Sequence, residues 1–284
     1  MASESPTVYI ETYGCQMNVS DSELMLGRLA EYGYRAVEVP DGADVILVNT
    51  CAIRDHAEQR VLGRIGELKR HMKPTTVLGV TGCMAQRLGP RLLERAKHVD
   101  LVIGPDGYRA LPSLIESARN GERVAKVDFD LEEHYEDFRA RRLDGVSAWI
   151  PVQRGCDYRC TYCIVPTTRG PERSRALSDV VREARETVAA GITEITLLGQ
   201  TVNSYYDATV RALYVYPVDA AGEVIRDRGT MIPLRKLPIY REHLPEQGTG
   251  MNLALPADAT AKLDPALRGV KLNIVGYYPF AQMS

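Results

Sequence analysis

Six cysteines fall into two groups of three, and one group is compressed into a single loop: Cys156, Cys160 and Cys163 in the stretch VQRGCDYRCTYC at residues 152–163. Cysteine thiolates are soft ligands suited to zinc and to iron-sulfur clusters. Both usually take four protein ligands, whereas this loop offers three. Three thiolates can hold three irons of a cubane 4Fe-4S cluster and leave the fourth iron open. The alternative is a structural zinc, which needs a fourth ligand. His98 and His134 are the histidines to consider, but neither sits at ligand spacing, and each reads more simply as a surface or hydrogen-bonded residue.

The other three, Cys15, Cys51 and Cys83, lie 36 and 32 residues apart. Each follows a short apolar run rich in β-branched residues: Val8-Tyr9-Ile10, Val45-Ile46-Leu47-Val48 and Val77-Leu78-Gly79-Val80. A lone cysteine of this kind reads as a small buried hydrophobe. Three at equivalent strand ends, two of them preceded by glycine, read as a shared metal site.

The elements between them support that geometry. Ser20 to Tyr32 is expected as a helix capped by Ser20 with Glu23 closing a capping box, and Ala57 to His71 carries Val61, Leu62, Ile65 and Leu68 at helical spacing. Alternating strands and helices predict a parallel α/β sheet, whose strand carboxyl ends share one edge. Further on, Ser147 to Gln153 reads as a strand running into the compact cysteine loop. A helix capped by Ser178 and ended by Gly191 follows, then a strand over Ile192 to Leu198. This is one βα repeat of a barrel-like or open parallel sheet, with its loop on the face where such folds place chemistry.

At 284 residues, 45% hydrophobic and 25% charged, the chain has room for two modest domains. It has no run of about 18 apolar residues and its first residues lack a secretory pattern, so neither a membrane span nor export is expected, and the cytoplasm is the expected compartment. There, clustered cysteines serve as ligands or reactive thiols rather than disulfides. A net charge of −2 gives no global attraction for nucleic acid. Two local basic stretches, Arg139, Arg141 and Arg142, and Arg169, Arg173 and Arg175, read either as phosphate contacts or as solvated charge runs.

Four further stretches carry a resemblance. They are Glu11-Thr12-Tyr13-Gly14-Cys15-Gln16-Met17-Asn18, Asn49-Thr50-Cys51-Ala52-Ile53-Arg54, Gly82-Cys83-Met84-Ala85-Gln86 and Ile164-Val165-Pro166-Thr167-Thr168-Arg169-Gly170. Together with Cys156-x3-Cys160-x2-Cys163, which resembles the radical S-adenosylmethionine signature, they make the chain similar to the methylthiotransferases of the MiaB type from about Val8 to Tyr205. The resemblance implies two 4Fe-4S clusters, one on each cysteine triad, and S-adenosyl-L-methionine bound at the open iron of the compact loop, with Tyr162 near its adenine. It implies an enzyme that makes a 5′-deoxyadenosyl radical and methylthiolates N6-isopentenyladenosine beside the anticodon of tRNA. A low-potential electron donor such as flavodoxin or ferredoxin, a monomeric state and no membrane partner go with that reading. Gln200 and Asn203 match a family motif at the end of the second barrel strand.

The expected organisation is an N-terminal methylthiotransferase domain with a parallel sheet over 1–125, a linker over 126–146, and the start of a radical S-adenosylmethionine βα barrel over 147–205. An atypical, irregular or β-rich tail over 206–284 stands where the family has further barrel units and a TRAM domain. Leu213 to Ile225 is expected as a hairpin turning at Asp219 to Gly222. Two barrel strands cannot bury a barrel core, so two alternatives accompany the enzyme reading: a truncated, catalytically impaired fragment that keeps its cluster ligands, and a standalone iron-sulfur or electron-transfer module.

Overall fold

A computed structural model describes residues 5–52, 55–143, 145–158 and 160–205, together with four short strands at 212–215, 230–233, 251–253 and 272–274. The chain divides into two compact units, Met1–Tyr205 and Tyr206–Ser284.

The first unit opens with six strands and five helices in the order β1 (Thr7–Thr12), α1 (Gln16–Glu31), β2 (Arg35–Ala36), β3 (Val45–Thr50), α2 (Asp55–Leu68), β4 (Val77–Gly82), α3 (Cys83–Leu88), α4 (Pro90–Arg95), β5 (Leu101–Ile103), α5 (Leu111–Arg119) and β6 (Val124–Lys126). The strands form one sheet in the order β2-β1-β3-β4-β5-β6, parallel throughout. β3 and β4 are buried at every position, as a strand covered by helices on both faces must be, which is why they read as unbroken apolar runs. One face packs α1 and α5 over Leu24, Met25, Leu29, Leu47, Leu101 and Ile115. The other packs α2, α3 and α4 over Ile46, Ile65, Leu68, Leu78, Met84 and Leu92.

Helix α1 begins four residues before the expected cap. Gly14 turns the chain out of β1 at φ +143°, and the helix starts at once. Cys15 is its N-cap, its carbonyl accepting from Asn18 N at 2.9 Å and its own N–H donating to Asn18 Oδ1 at 3.3 Å. Ser20 and Glu23 are instead buried inside the helix. Glu23 accepts from Arg142 Nη1 at 2.8 Å and from the Leu143 N–H at 3.0 Å; burial raises its pKa against the pull of those two donors. Gly27 lies so close to the Arg139 carbonyl that a Cβ there would collide with it.

The charged segment after β6 is part of the packing. Tyr135 and Phe138 enter the core beside α1. The Tyr135 hydroxyl donates to the Pro105 carbonyl at 2.7 Å, and Arg154 lies 4.8 Å over its ring. Beyond this come β7 (Ser147–Pro151), β8 (Gln153–Arg154), α6 (Val165–Arg169), β9 (Arg173–Ser174), α7 (Leu177–Ala189) and β10 (Glu194–Leu198). β7 and β10 pair in parallel, and α7 covers a small core of Ile150, Val152 and Val180. The expected strand through Gln153 is broken at Val152: β8 leaves the parallel pair and joins β9 antiparallel. Helix α7 is capped by Ala176 rather than Ser178 and ends before Gly191, at φ +93°.

In the second unit, β11 (Ala212–Val215) pairs antiparallel with β12 (Thr230–Pro233), and β13 (Met251–Leu253) with β14 (Leu272–Ile274). The turn expected at Asp219 to Gly222 lies outside the described residues.

Candidate metal centres

Strands β1, β3 and β4 are neighbours in the sheet, so Cys15, Cys51 and Cys83 stand at one edge. Thr50 pairs with Gly82 across the ladder, which brings Cys51 and Cys83, the next residue of each chain, to the same level. None of the three is in a disulfide, and they grade from exposed Cys15 through half-buried Cys51 to buried Cys83. A Cβ on Gly14 would lie 2.9 Å from Cys51 Cβ, and only glycine combines that approach with a positive φ.

Two asparagines tie the loops together. Asn18 Nδ2 donates to Asn49 Oδ1 and to the Thr50 carbonyl, both at 3.1 Å. Thr50 Oγ1 in turn reaches the Thr81 carbonyl at 2.5 Å. Beside Cys15, Glu11 accepts from Arg64 Nε at 3.0 Å and from the hydroxyls of Tyr9 and Tyr13. Burial works to raise the Glu11 carboxyl, but Arg64 and the two hydroxyls outweigh it and hold it low. Burial and the bond to Glu11 push Tyr13 up to about 12.

The compact loop is built around Gly155, at φ +73°, where a Cβ would collide with the Pro171 carbonyl. Cys156 N donates to the Gly170 carbonyl at 3.1 Å, tying the start of the loop to the end of α6, and Cys163 N donates to the Cys160 carbonyl at 3.0 Å, which closes a turn between those two cysteines. Buried Gln153 spans this loop and the end of β10: its Nε2 donates to the Gly155 carbonyl at 2.9 Å, and its Oε1 accepts from Thr201 N at 3.2 Å. Thr201 Oγ1 then lies 3.2 Å from Cys156 Sγ. Gln200 has a shielded Oε1 with no hydrogen-bond partner, and Asn203 is exposed. Tyr162 is 91% exposed, so it does not pack the loop against the sheet.

The arginines after the loop are neither solvated nor turned to an exterior partner. Arg169, Arg173 and Arg175 are buried. Arg173 Nη2 pairs with Asp106 at 3.0 Å, and Arg175 with Asp179 at 2.8 Å and Glu183 at 2.7 Å. Arg142 bridges Glu23 and Glu183. Asp21, fully buried on α1, accepts from Arg154 Nη2 at 3.2 Å, from Arg169 Nη2 at 2.6 Å and from the Tyr108 hydroxyl at 3.3 Å. His98 is committed to the Ile65 carbonyl at 3.0 Å, and burial lowers the His134 pKa.

Among the described residues, no three His, Cys, Asp or Glu side chains converge on a point that one metal ion could occupy. The fit to clusters rests on donor chemistry: two sets of three cysteines outside any disulfide, one set at the carboxyl ends of the parallel strands β1, β3 and β4 and the other in the single loop that follows β8. In such clusters every thiolate binds an iron. Asn18, Asn49, Thr201 and Asp21 are the site residues that spacing alone did not single out, although the first three lie within or beside the motifs.

Residues 7–104 match the uncharacterized protein family UPF0004 and residues 150–226 match the Radical SAM superfamily. The chain therefore joins a UPF0004 region to a radical S-adenosylmethionine region. Proteins named tRNA-2-methylthio-N(6)-dimethylallyladenosine synthase are its relatives. The one from Chloroherpeton thalassium is 46% identical over 219 residues, 76% of this chain and 49% of the relative. The one from Amoebophilus asiaticus is 49% identical over 210 residues, 71% of this chain and 43% of the relative. Over that shared part the chain is similar to the MiaB-type methylthiotransferases, as its motifs indicate, and it spans about half the length of these relatives. A fainter likeness, TM-score 0.46 at 15% identity over 69% of this chain and 34% of the other, is to the cobalamin-dependent S-adenosylmethionine radical enzyme OxsB; it is too slight to carry a conclusion. No helix among the described residues is long and apolar enough to cross a membrane.

Proposed function

We propose that this chain holds the two-cluster centre of a tRNA methylthiotransferase acting on N6-isopentenyladenosine beside the anticodon. The observation that supports this best is the pair of cysteine triads within one compact unit, one gathered at the carboxyl edge of the parallel sheet and the other in the loop after β8, with no disulfide among them. Cys156, Cys160 and Cys163 would hold one 4Fe-4S cluster, and Cys15, Cys51 and Cys83 the other. With S-adenosylmethionine, such groups supply the one-electron and sulfur-transfer chemistry that acid-base side chains cannot. The chain's own work is positioning. Gln153 and Thr201 brace Cys156, Asn18 and Asn49 brace the ends of β1 and β3, and Tyr162 stands free to meet an adenine. A low-potential flavodoxin or ferredoxin fits as the electron donor.

One observation favours a second reading. Among the described residues, the parallel part of the barrel is β7 and β10 alone, over a core of three buried side chains. On that reading the chain keeps its clusters without turnover, because walls that orient the cofactor supply much of the proximity advantage, about 7–11 kcal/mol in favourable cases. An anaerobic assay separates the two. The reduced protein is given S-adenosylmethionine and isopentenylated tRNA, and 5′-deoxyadenosine and tRNA nucleosides are measured. Both products support the enzyme. Reduced clusters with neither product support the fragment.

A further inference from the structure

Arg169 belongs to the segment that follows the compact cysteine loop, yet its side chain ends at the other triad. Its Nε–H donates to Cys83 Sγ at 3.3 Å, while Nη2 is held by Asp21 at 2.6 Å. The Arg169 side chain is 96% buried. Burial opposes its charge, but Asp21 and Cys83 outweigh burial and keep it firmly cationic. Asp21 is not its partner alone, because Arg154 shares the same carboxylate at 3.2 Å. One buried carboxylate thus faces two buried guanidiniums, and Nη1 of each arginine lacks a hydrogen-bond partner. A buried cation without full compensation is costly. The group it points at is a sulfur that becomes anionic on binding metal.

We infer that Arg169 is a positioning residue that sets the reduction potential of the cluster on Cys15, Cys51 and Cys83, through its N–H···S bond to Cys83 and its buried charge. This rests on the two-cluster reading above. Hydrogen bonds to ligand sulfur and nearby positive charge stabilise the more negative, reduced form of a cluster, and so raise its potential. The neighbouring Gly170 carbonyl accepts from Cys156 N at 3.1 Å, so the residue that tunes one site is anchored next to the backbone of the other.

The test uses the full chain with Cys156, Cys160 and Cys163 replaced by alanine, reconstituted so that only the N-terminal cluster remains, and titrated with redox mediators while the reduced signal is followed by electron paramagnetic resonance. Arg169→Gln is expected to lower the reduced-to-oxidised ratio at a fixed poise by about tenfold, which is ~59 mV for one electron. Arg169→Lys, which keeps the charge, is expected to restore more than half of that shift. Thermal unfolding of each variant, measured alongside, separates this from loss of packing, which would lower stability in both without restoring the potential in one. An unchanged ratio in Arg169→Gln with the cluster intact overturns the inference. If Arg169→Gln does not fold, the protein with Arg169 in place is read by electron-nuclear double resonance. A coupled proton that disappears in heavy water upholds the N–H···S contact, and its absence overturns it. Failure of the cysteine-substituted protein to bind any cluster overturns the two-cluster reading, and this inference with it.

Discussion

Asn49 donates both hydrogens of its side-chain amide to helix α1, one to the Asn18 carbonyl at 2.7 Å and one to Ser22 Oγ at 2.9 Å, while its own Oδ1 accepts from Asn18 Nδ2. The pair is fully buried and fixes the end of β3 against the start of α1, so Cys15 and Cys51 are held as one rigid corner. Asn49→Ala removes three buried side-chain bonds, those to the Asn18 carbonyl, to Ser22 Oγ and from Asn18 Nδ2, at a cost of about 1–3 kcal/mol. Denaturant unfolding of the metal-free protein is expected to show that loss. Iron bound at the N-terminal triad is expected to fall while iron at the compact loop stays.

Anaerobic reconstitution is expected to load about eight irons per chain, as two cubanes require. Replacing Cys156, Cys160 and Cys163 by alanine is expected to halve the iron and leave the rest. Stoichiometric zinc without charge-transfer absorbance would contradict the cluster reading, and loss of all iron in the triple variant would point to one shared site.

Gly155 and Gly33 make a matched pair for testing what the compact loop tolerates. Both have positive φ, +73° and +81°, but a Cβ at Gly33 meets nothing within 4 Å whereas one at Gly155 collides with the Pro171 carbonyl. Gly33→Ala is expected to cost about 1–2 kcal/mol, the price of the left-handed backbone. Gly155→Ala is expected to cost more and, in iron analysis, to empty the second site selectively. Equal effects of the two substitutions on iron content would show that the close approach is unimportant.

Glu11 supplies a pH dependence whose sign is set by its environment. Its pKa is lowered in the folded chain from an ordinary value of 4.5, Arg64 and the hydroxyls of Tyr13 and Tyr9 outweighing burial. The unfolded chain therefore takes up this proton first as pH falls. The contribution of Glu11 is present above the unfolded pKa and is lost as pH drops through the folded one. Thermal unfolding of the native chain and of Glu11→Gln is expected to differ most near neutrality, with the gap starting to close only once pH falls below the ordinary carboxyl value of 4.5. A gap that stays constant across that range would rule Glu11 out as its source.

Strands β1, β3 and β4 were readable from sequence because a parallel strand buried on both faces needs an uninterrupted apolar run, and little else in a soluble chain produces one. Cys15, Cys51 and Cys83 stood out because each comes just after such a run, and Cys156, Cys160 and Cys163 because one short loop holds all three. The start of α1 did not. Ser20 with Glu23 spells a capping box, but Gly14 turns the chain earlier, and Glu23 is spent on Arg142, 119 residues away. The arginines misled in the same manner. A run of charge looks solvated unless its partners are known, and the partner of Arg169 on α1 lies 148 residues back. Thr201 escaped notice beside Gln200 because nothing local distinguishes a threonine that touches a cysteine from one that does not.

The spread of the first triad along the chain also bears on how the protein is made. Cys156, Cys160 and Cys163 occupy eight consecutive residues, so a nascent or unfolded chain already carries them within reach of one another, and closing so short a loop costs little. Cys15, Cys51 and Cys83 become neighbours only when β1, β3 and β4 have paired. If both triads hold clusters as proposed, metal delivered early in biogenesis would find one binding site ready and the other not yet formed. On the two-cluster reading, maturation would have an intrinsic order: the compact loop could be loaded before the domain folds, whereas the sheet edge would have to fold empty and be filled afterwards, through the side left open at exposed Cys15.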